Sequence, residues 1–240
     1  MVATLDVLLL PEPGRTADCL VVVDLLRATT TIATLFERGL RTLTVAQDID
    51  YARRLRDETG AILFGEVGGM PPADFDHGNS PVEASELDLQ GKSGVMFTTN
   101  GTAALCMAAR QGRTIAGSLT NVSAVAAGAR AFDSVLIVCS GNAGGTTFSL
   151  EDAYGAAEIA QHIAGVAPGL VVGDAGRLLL ASDPVKLRSS ARGSTHARLL
   201  EELDLSRDVV FAFRPNSSRA IPTVTAHGDG WAVLEDLRRA

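Results

Sequence analysis

The sequence predicts an α/β protein, a layered α/β/α arrangement with a largely parallel or mixed sheet. Three observations carry that reading. Short runs rich in Val, Ile and Leu alternate with helix-patterned segments through most of the chain. Some of these runs are apolar at every position, as strands covered on both faces are. Polar residues recur just past the runs, where open α/β sheets bind ligands.

The elements follow in order. Residues 19–25 (CLVVVDL) read as a buried strand, and 29–38 as a helix closed by Gly39. Residues 43–46 (LTVA) form a strand. Asp48 caps a helix running to about 58, and Gly60 ends it. Residues 61–66 (AILFGE) are the next strand. The stretch VGGMPPADFDHGNSPVE (67–83) is dense in Gly and Pro, and a loop of that length in a compact domain is usually functional or mobile. Beyond it come a strand at 94–99, a helix at 101–110, a strand at 114–118 and an Ala-rich helix at 121–131. A strand at 134–141 leads through a Gly-rich loop into a helix from 150 to about 163. From about 174 to 240 the pattern is less regular: helices near 174–181 and 194–203, strands near 208–213 and 221–226. No Gly/Ser or Pro linker and no repeat period interrupts the chain, so residues 1–240 read as one domain.

Composition narrows the function. The 240 residues carry 21 − 28 = −7 formal charges and only 5% aromatics. Both figures argue against a nucleic-acid partner, which needs clustered cations and stacking rings. An anionic small molecule stays compatible, because a few local groups set a site's field. The apolar run at 7–10 is too short for a signal sequence, and no stretch approaches the ~20 residues of a membrane span. Cys19, Cys106 and Cys139 are widely spaced, contain no CxxC and read as core residues. A cytoplasmic protein with no membrane partner is expected; a homodimer is the generic base-rate expectation.

The residues past the strand ends are candidates for a site. Asp24 ends VVVD, and a carboxylate there is desolvated on one side, so it pairs with a cation or a metal. Arg27 is either its partner or a planar fork for phosphate or sulfonate. TTNGT (98–102) places Asn100, Gly101 and Thr102 at a strand-to-helix turn whose N–H groups favour an anion. Ser118 and Asn121 follow another strand, and GNAGGT (141–146) another; neither GxGxxG nor GxxxxGK occurs. Glu66 and Asp76 are candidate hard-metal ligands with Asp24, since Mg²⁺ is held by one or two carboxylates plus water and substrate oxygens. Glu151 and Asp152 open a helix, where acids also simply complement the dipole. His77 lies in the polar loop, His162 reads as structural, and His196 and His227 stay undecided. Lys186, Arg188 and Arg192 read as a solvated basic face. Together these groups suggest Mg²⁺-assisted phosphoryl chemistry. The phosphatase class with an Asp nucleophile and a second Asp two positions on is rejected, because Leu26 occupies that second position.

The motifs VVVDLLRATTT (21–31), GE (65–66), FDHGNSPVE (75–83), TTNGT (98–102), GSLTN (117–121), and CSG with SLED (139–141, 149–152) come in the order seen in the 2-phosphosulfolactate phosphatase family. The resemblance covers about residues 4–226. It implies the family's own α/β fold and a Mg²⁺-dependent phosphatase acting on 2-phospho-3-sulfolactate, a step of coenzyme M biosynthesis. It singles out Asp24, Arg27, Glu66, Asp76, Asn79, Asn100, Thr102, Asn121, Glu151 and Asp152, which stand at matching positions. Two departures are evident: the family often has Arg where this chain has Val67 and Ala103. The expectation is therefore a phosphomonoesterase for a small, strongly anionic 2-phospho acid. Asp24, Glu66 and Asp76 would hold Mg²⁺. Arg27, Asn79, Asn100, Gly101, Thr102, Ser118 and Asn121 would bind substrate, while Asp24, Glu151 and Asp152 act in catalysis. The rival expectations are a non-catalytic binder of anionic metabolites, motivated by Val67 and Ala103, and a phosphatase for a different ester.

Overall fold

In the computed structural model, which describes residues 2–165 and 167–239, the apolar runs align into a single ten-stranded mixed sheet. The strands are β1 (Thr4–Leu8), β2 (Cys19–Val23), β3 (Thr42–Ala46), β4 (Ile62–Gly65), β5 (Ser93–Phe97), β6 (Arg113–Gly117), β7 (Ser134–Cys139), β8 (Val171–Val172), β9 (Pro222–Gly228) and β10 (Trp231–Asp236). Their order is β4-β5-β3-β10-β9-β6-β2-β7-β1-β8. The helices are α1 (Ala28–Glu37), α2 (Ile49–Thr59), α3 (Pro81–Glu86), α4 (Gly101–Ala109), α5 (Val122–Ala129), α6 (Leu150–Ala164), α7 (Asp174–Ala181), α8 (Pro184–Arg192), α9 (Thr195–Glu202) and α10 (Ser206–Ala212).

The apolar monotony of β2 now has its cause. Leu20 and Val22 pack on one face against Ile32, Leu35 and Phe36 of α1 and Leu105 of α4. Cys19, Val21 and Val23 pack on the other, against Val125 of α5 and Ile159 of α6. Alternate side chains enter opposite cores, so every position is apolar. The helix boundaries follow local chemistry. The Asp48 side chain accepts from the Tyr51 N–H at the start of α2, and Gly60 closes it at φ 66. Ser149 caps α6 by accepting from the Asp152 N–H.

The C-terminal third corrects one expectation. Residues 208–213 are not a strand; they belong to α10 and its C-cap. Val209, Ala212 and Phe213 are buried while Val210 is exposed, a spacing of three and four that suits a helix. β1, β8, β10, α3 and α8 also exist beyond the elements read from the sequence. β10 alternates buried and half-buried side chains and pairs antiparallel with both β3 and β9.

That antiparallel insertion has a consequence for function. β4, β5 and β3 run parallel to one another, as do β6, β2, β7, β1 and β8. The two sets are joined through β10 and β9, with β9 touching β6 at Ile115↔Thr223. The carboxyl ends of both sets nevertheless meet at one place. The N-terminus of α4, which follows β5, abuts Asp24, which follows β2.

Among the described residues, no helix is long and apolar enough to cross a membrane. All three cysteines are free and buried, and burial pushes the thiols of Cys19 and Cys106 up to about 12. They are core residues.

Gly65 tests how closely the strand ends are packed. It has φ 146, and a Cβ there would collide with the Phe97 carbonyl. Gly65→Ala is expected to cost about 3 kcal/mol through strain and overpacking, read as a lower denaturation midpoint.

Candidate active site

A cavity of about 580 Å³ opens where the two sets of strand ends meet. Its floor comes from the residues just past β2, β4, β5 and β7: Asp24 and Arg27, Glu66, Thr99 and Asn100, and Asn142. Its far wall is α9, through His196, Arg198 and Leu199.

Asp24 lies at the centre of this junction. Its Oδ1 accepts from the Ala28 N–H at 3.0 Å, and its backbone carbonyl accepts from the Thr29 N–H and hydroxyl. A Cβ on Gly101 would come within 2.5 Å of Asp24 Oδ2, so glycine is required where α4 begins. Asp24 is only 5% exposed. Burial pushes its carboxyl up to about 6; the Ala28 N–H, His196 and Ser140 oppose the rise, and the Glu66 charge adds to it.

Behind Asp24 stands Asp152. Its Oδ1 accepts from the Leu25 N–H at 2.8 Å, and its Oδ2 accepts from the Ser140 hydroxyl at 3.0 Å and the Gly141 N–H at 3.1 Å. It thus ties the tail of β2 to the tail of β7. Desolvation, then the charges of Asp24 and Glu151, hold its carboxyl well above the usual range.

Arg27 does not pair with Asp24. Its Nη1 donates to Asp208 Oδ2 of α10 at 2.8 Å, and its Nη2 donates to the Gly69 carbonyl. Asp208 Oδ1 also accepts from the Ser80 hydroxyl at 2.6 Å. Arg27 and Asp208 are both almost wholly buried. Two of the five guanidinium N–H groups are used in this way, and the side chain still lines the cavity.

The structure brings together six of the residues singled out from the sequence: Asp24, Arg27, Glu66, Asn79, Asn100 and, through its contact with Asp24, Gly101. The others lie elsewhere. Asp76 is exposed, and its Oδ2 accepts from the Leu63 N–H along the outer edge of β4, so the trio Asp24, Glu66 and Asp76 does not converge. Among the described residues, no three His, Cys, Asp or Glu side chains group as a metal cage. Thr102 is fully buried, and its N–H and hydroxyl are both engaged with Thr98. The Thr99 N–H is engaged too, by Glu66 Oε1 at 2.7 Å. This turn therefore commits those N–H groups to the protein's own Thr98 and Glu66. Ser118 and Asn121 close a capping box, and the Asn121 amide donates to the Ala116 and Ala220 carbonyls, away from the cavity. Glu151 and Asp152 are buried behind the floor and do not line it. Lys186 and Arg192 are exposed on α8 as a solvated face, and Arg188 there donates to the Phe213 carbonyl.

The sequence profile described as 2-phosphosulpholactate phosphatase matches residues 7–227. The chain belongs to this family. It is 39% identical over 231 residues to a Deinococcus radiodurans protein named "Probable 2-phosphosulfolactate phosphatase", covering 92% of this chain and 93% of the relative. A Thermus thermophilus protein of the same name is 36% identical over 215 residues, covering 86% and 88%. A third, from Thermotoga petrophila, is 32% identical over 227 residues, covering 95% of each chain.

Within this family member, two buried acids and one amide suit a hard cation. Asp24 and Glu66 both line the cavity, and Glu66 already accepts from the Gly69 and Thr99 N–H groups. Asn79 lines it as well; among the described residues its buried Oδ1 has no hydrogen-bond partner. Two carboxylates and an unpartnered amide oxygen around one space fit Mg²⁺ that keeps several waters. Sequence reasoning left His196 undecided and missed Arg198, Phe148 and Asp208. Leu199 gives a faint signal, since it is apolar and off the buried Ala197–Leu200 stripe of α9. Nothing local announces the others.

Burial of these charged groups sets two expectations. In metal-free protein, the fold raises the Asp24 carboxyl from about 4 to about 6. The folded state thus binds the proton more tightly, and stability falls as pH rises through that window. Asp24→Asn is expected to melt higher than the parent chain at pH 8 in EDTA, with the gain vanishing towards pH 4. Asp208→Ala strands the buried Arg27 charge and is expected to cost about 3–5 kcal/mol in a denaturant melt.

Proposed function

We propose that this chain is a Mg²⁺-dependent phosphomonoesterase that converts 2-phosphosulfolactate to sulfolactate and phosphate in the cytoplasm. The observation that carries the reading is the convergence of Asp24, Arg27 and Glu66 on one cavity in a member of this family. The relatives' names supply the substrate.

Asp24 and Glu66 are the carboxylates assigned to the cation, with the Asn79 Oδ1 as a neutral oxygen beside them. Bound Mg²⁺ would draw charge from the phosphoryl oxygens as a Lewis acid. Arg27 binds phosphoryl oxygen through the N–H groups left over from Asp208 and Gly69. Asp24 orients the attacking water by accepting one of its hydrogens. His196, within electrostatic reach of Asp24, is a proton carrier of the lining and serves the departing alkoxide. Asp152 is a positioning residue that holds the β2 and β7 tails. Reduced, buried cysteines are in keeping with a reducing compartment.

Phosphate release from 2-phosphosulfolactate, measured with Mg²⁺ and again in EDTA, tests the reading. Turnover is expected with Mg²⁺ and should fall at least about 100-fold in EDTA and in Asp24→Asn. A folded protein that releases no phosphate from this or any small phosphate ester is the opposing result.

A further inference from the structure

The cations of the cavity lining differ in how far they are already used. Arg27 is tied to Asp208 and Gly69. The guanidinium of Arg198, on α9, makes no hydrogen bond or ion pair among the described residues. Glu202, one turn further on, also lines the cavity, yet does not come within ion-pair distance of Arg198. An uncompensated guanidinium beside a cavity offers five N–H donors in a planar fork, a geometry that matches carboxylate and sulfonate oxygens. Leu26, Phe148 and Leu199 line the same space, and Arg198 is exposed at its rim, where it can meet an incoming anion. Of the other charged lining residues, Asp24, Glu66 and Arg27 lie on the sheet side and Glu202 on α9. A cavity of about 580 Å³ exceeds what a phosphate group needs, and its far wall is the one that carries Arg198.

α9 is also held firmly enough to read a substrate. Ala197 and Leu200 are fully buried beneath it. A Cβ on Gly69 would strike Leu203 at 2.7 Å, so the loop that receives Arg27 packs directly against the end of this helix.

We propose that Arg198 is the specificity residue of the site, binding a second anionic group, carboxylate or sulfonate, carried by the phosphate ester. This rests on the phosphomonoesterase reading above, with the phosphate end at Arg27 and Asp24 and the second anion at α9.

The experiment compares the parent chain with Arg198→Ala, Arg198→Lys and Arg207→Ala on three esters: 2-phosphosulfolactate, 2-phospholactate and phenyl phosphate, which has no second anion. Arg207 is outside the cavity lining and controls for loss of one positive charge. Arg198→Ala is expected to raise KM for 2-phosphosulfolactate about 10- to 100-fold with kcat changed far less, as loss of a charge-assisted contact does. The preference for 2-phosphosulfolactate over phenyl phosphate, as a kcat/KM ratio, falls by the same factor. Arg198→Lys keeps the charge without the fork and recovers part of the loss. Arg207→Ala leaves the ratio in place. A loss shared by 2-phospholactate assigns Arg198 to the carboxylate; a loss confined to 2-phosphosulfolactate assigns it to the sulfonate. Equal losses on all three esters, or none, overturn the proposal. Calorimetric binding of sulfolactate to the parent chain and to Arg198→Ala separates this from failure of the catalytic reading. If the parent releases no phosphate from any ester yet binds sulfolactate at least tenfold more tightly than the variant, the subsite stands and the hydrolase does not. Equal or absent binding by both removes the subsite.

Discussion

A carboxylate held out of water organises this site. Asp24 ends a strand whose every side chain is buried, and it meets the first turns of two helices at once. Its Oδ1 is fixed by the Ala28 N–H, and its Oδ2 faces the one position, Gly101, where α4 tolerates no side chain. Such a group is costly in isolation, and the fold devotes further contacts to keeping it in place. Asp152 fastens Leu25, the next residue, and bridges to Ser140 and Gly141. Three acids, Asp24, Glu151 and Asp152, are thus buried in one neighbourhood. Strain of this electrostatic kind is a recognised mark of functional sites, because it is relieved when a cation or a proton arrives.

The second constraint is the Arg27–Asp208 pair. It spans 181 positions of sequence and joins the α1 entrance to α10. Ser80 completes the acceptor pattern of Asp208, and Gly69 receives the other arm of Arg27. One buried guanidinium therefore secures the loop after β4, the start of α3 and the C-terminal helices. A buried pair of this kind contributes less to net stability than its geometry suggests, but it specifies one arrangement, since breaking it strands a charge. In this family member the arrangement it specifies brings α9 over the strand ends.

Much of the floor was legible in the sequence. Asp24, Arg27, Glu66 and Asn100 follow apolar runs directly, and the carboxyl ends of buried strands are where an open α/β sheet leaves room for a ligand. The same rule misled at Ser118, Asn121 and Thr102. These residues also follow strands, but small polar side chains there are equally suited to satisfying backbone groups, and that is what they do. Asp76 misled for a related reason: in a loop of turn residues, an acid can run along a strand edge as readily as into a cavity.

What the sequence determined by itself is local. The period of apolar residues set the strands and most helices, Asp48 and Gly60 set the limits of α2, and ordered motifs pointed to the family. Tertiary structure alone decided which strand ends share a cavity. Inserting β10 and β9 between two parallel sets reverses their local direction, yet the carboxyl ends of both sets line one cavity. It also decided that His196 and Arg198 belong to the site and that Asp208 holds Arg27. Contacts between residues more than a hundred positions apart leave no periodic trace in a single sequence, because they depend on packing rather than on spacing.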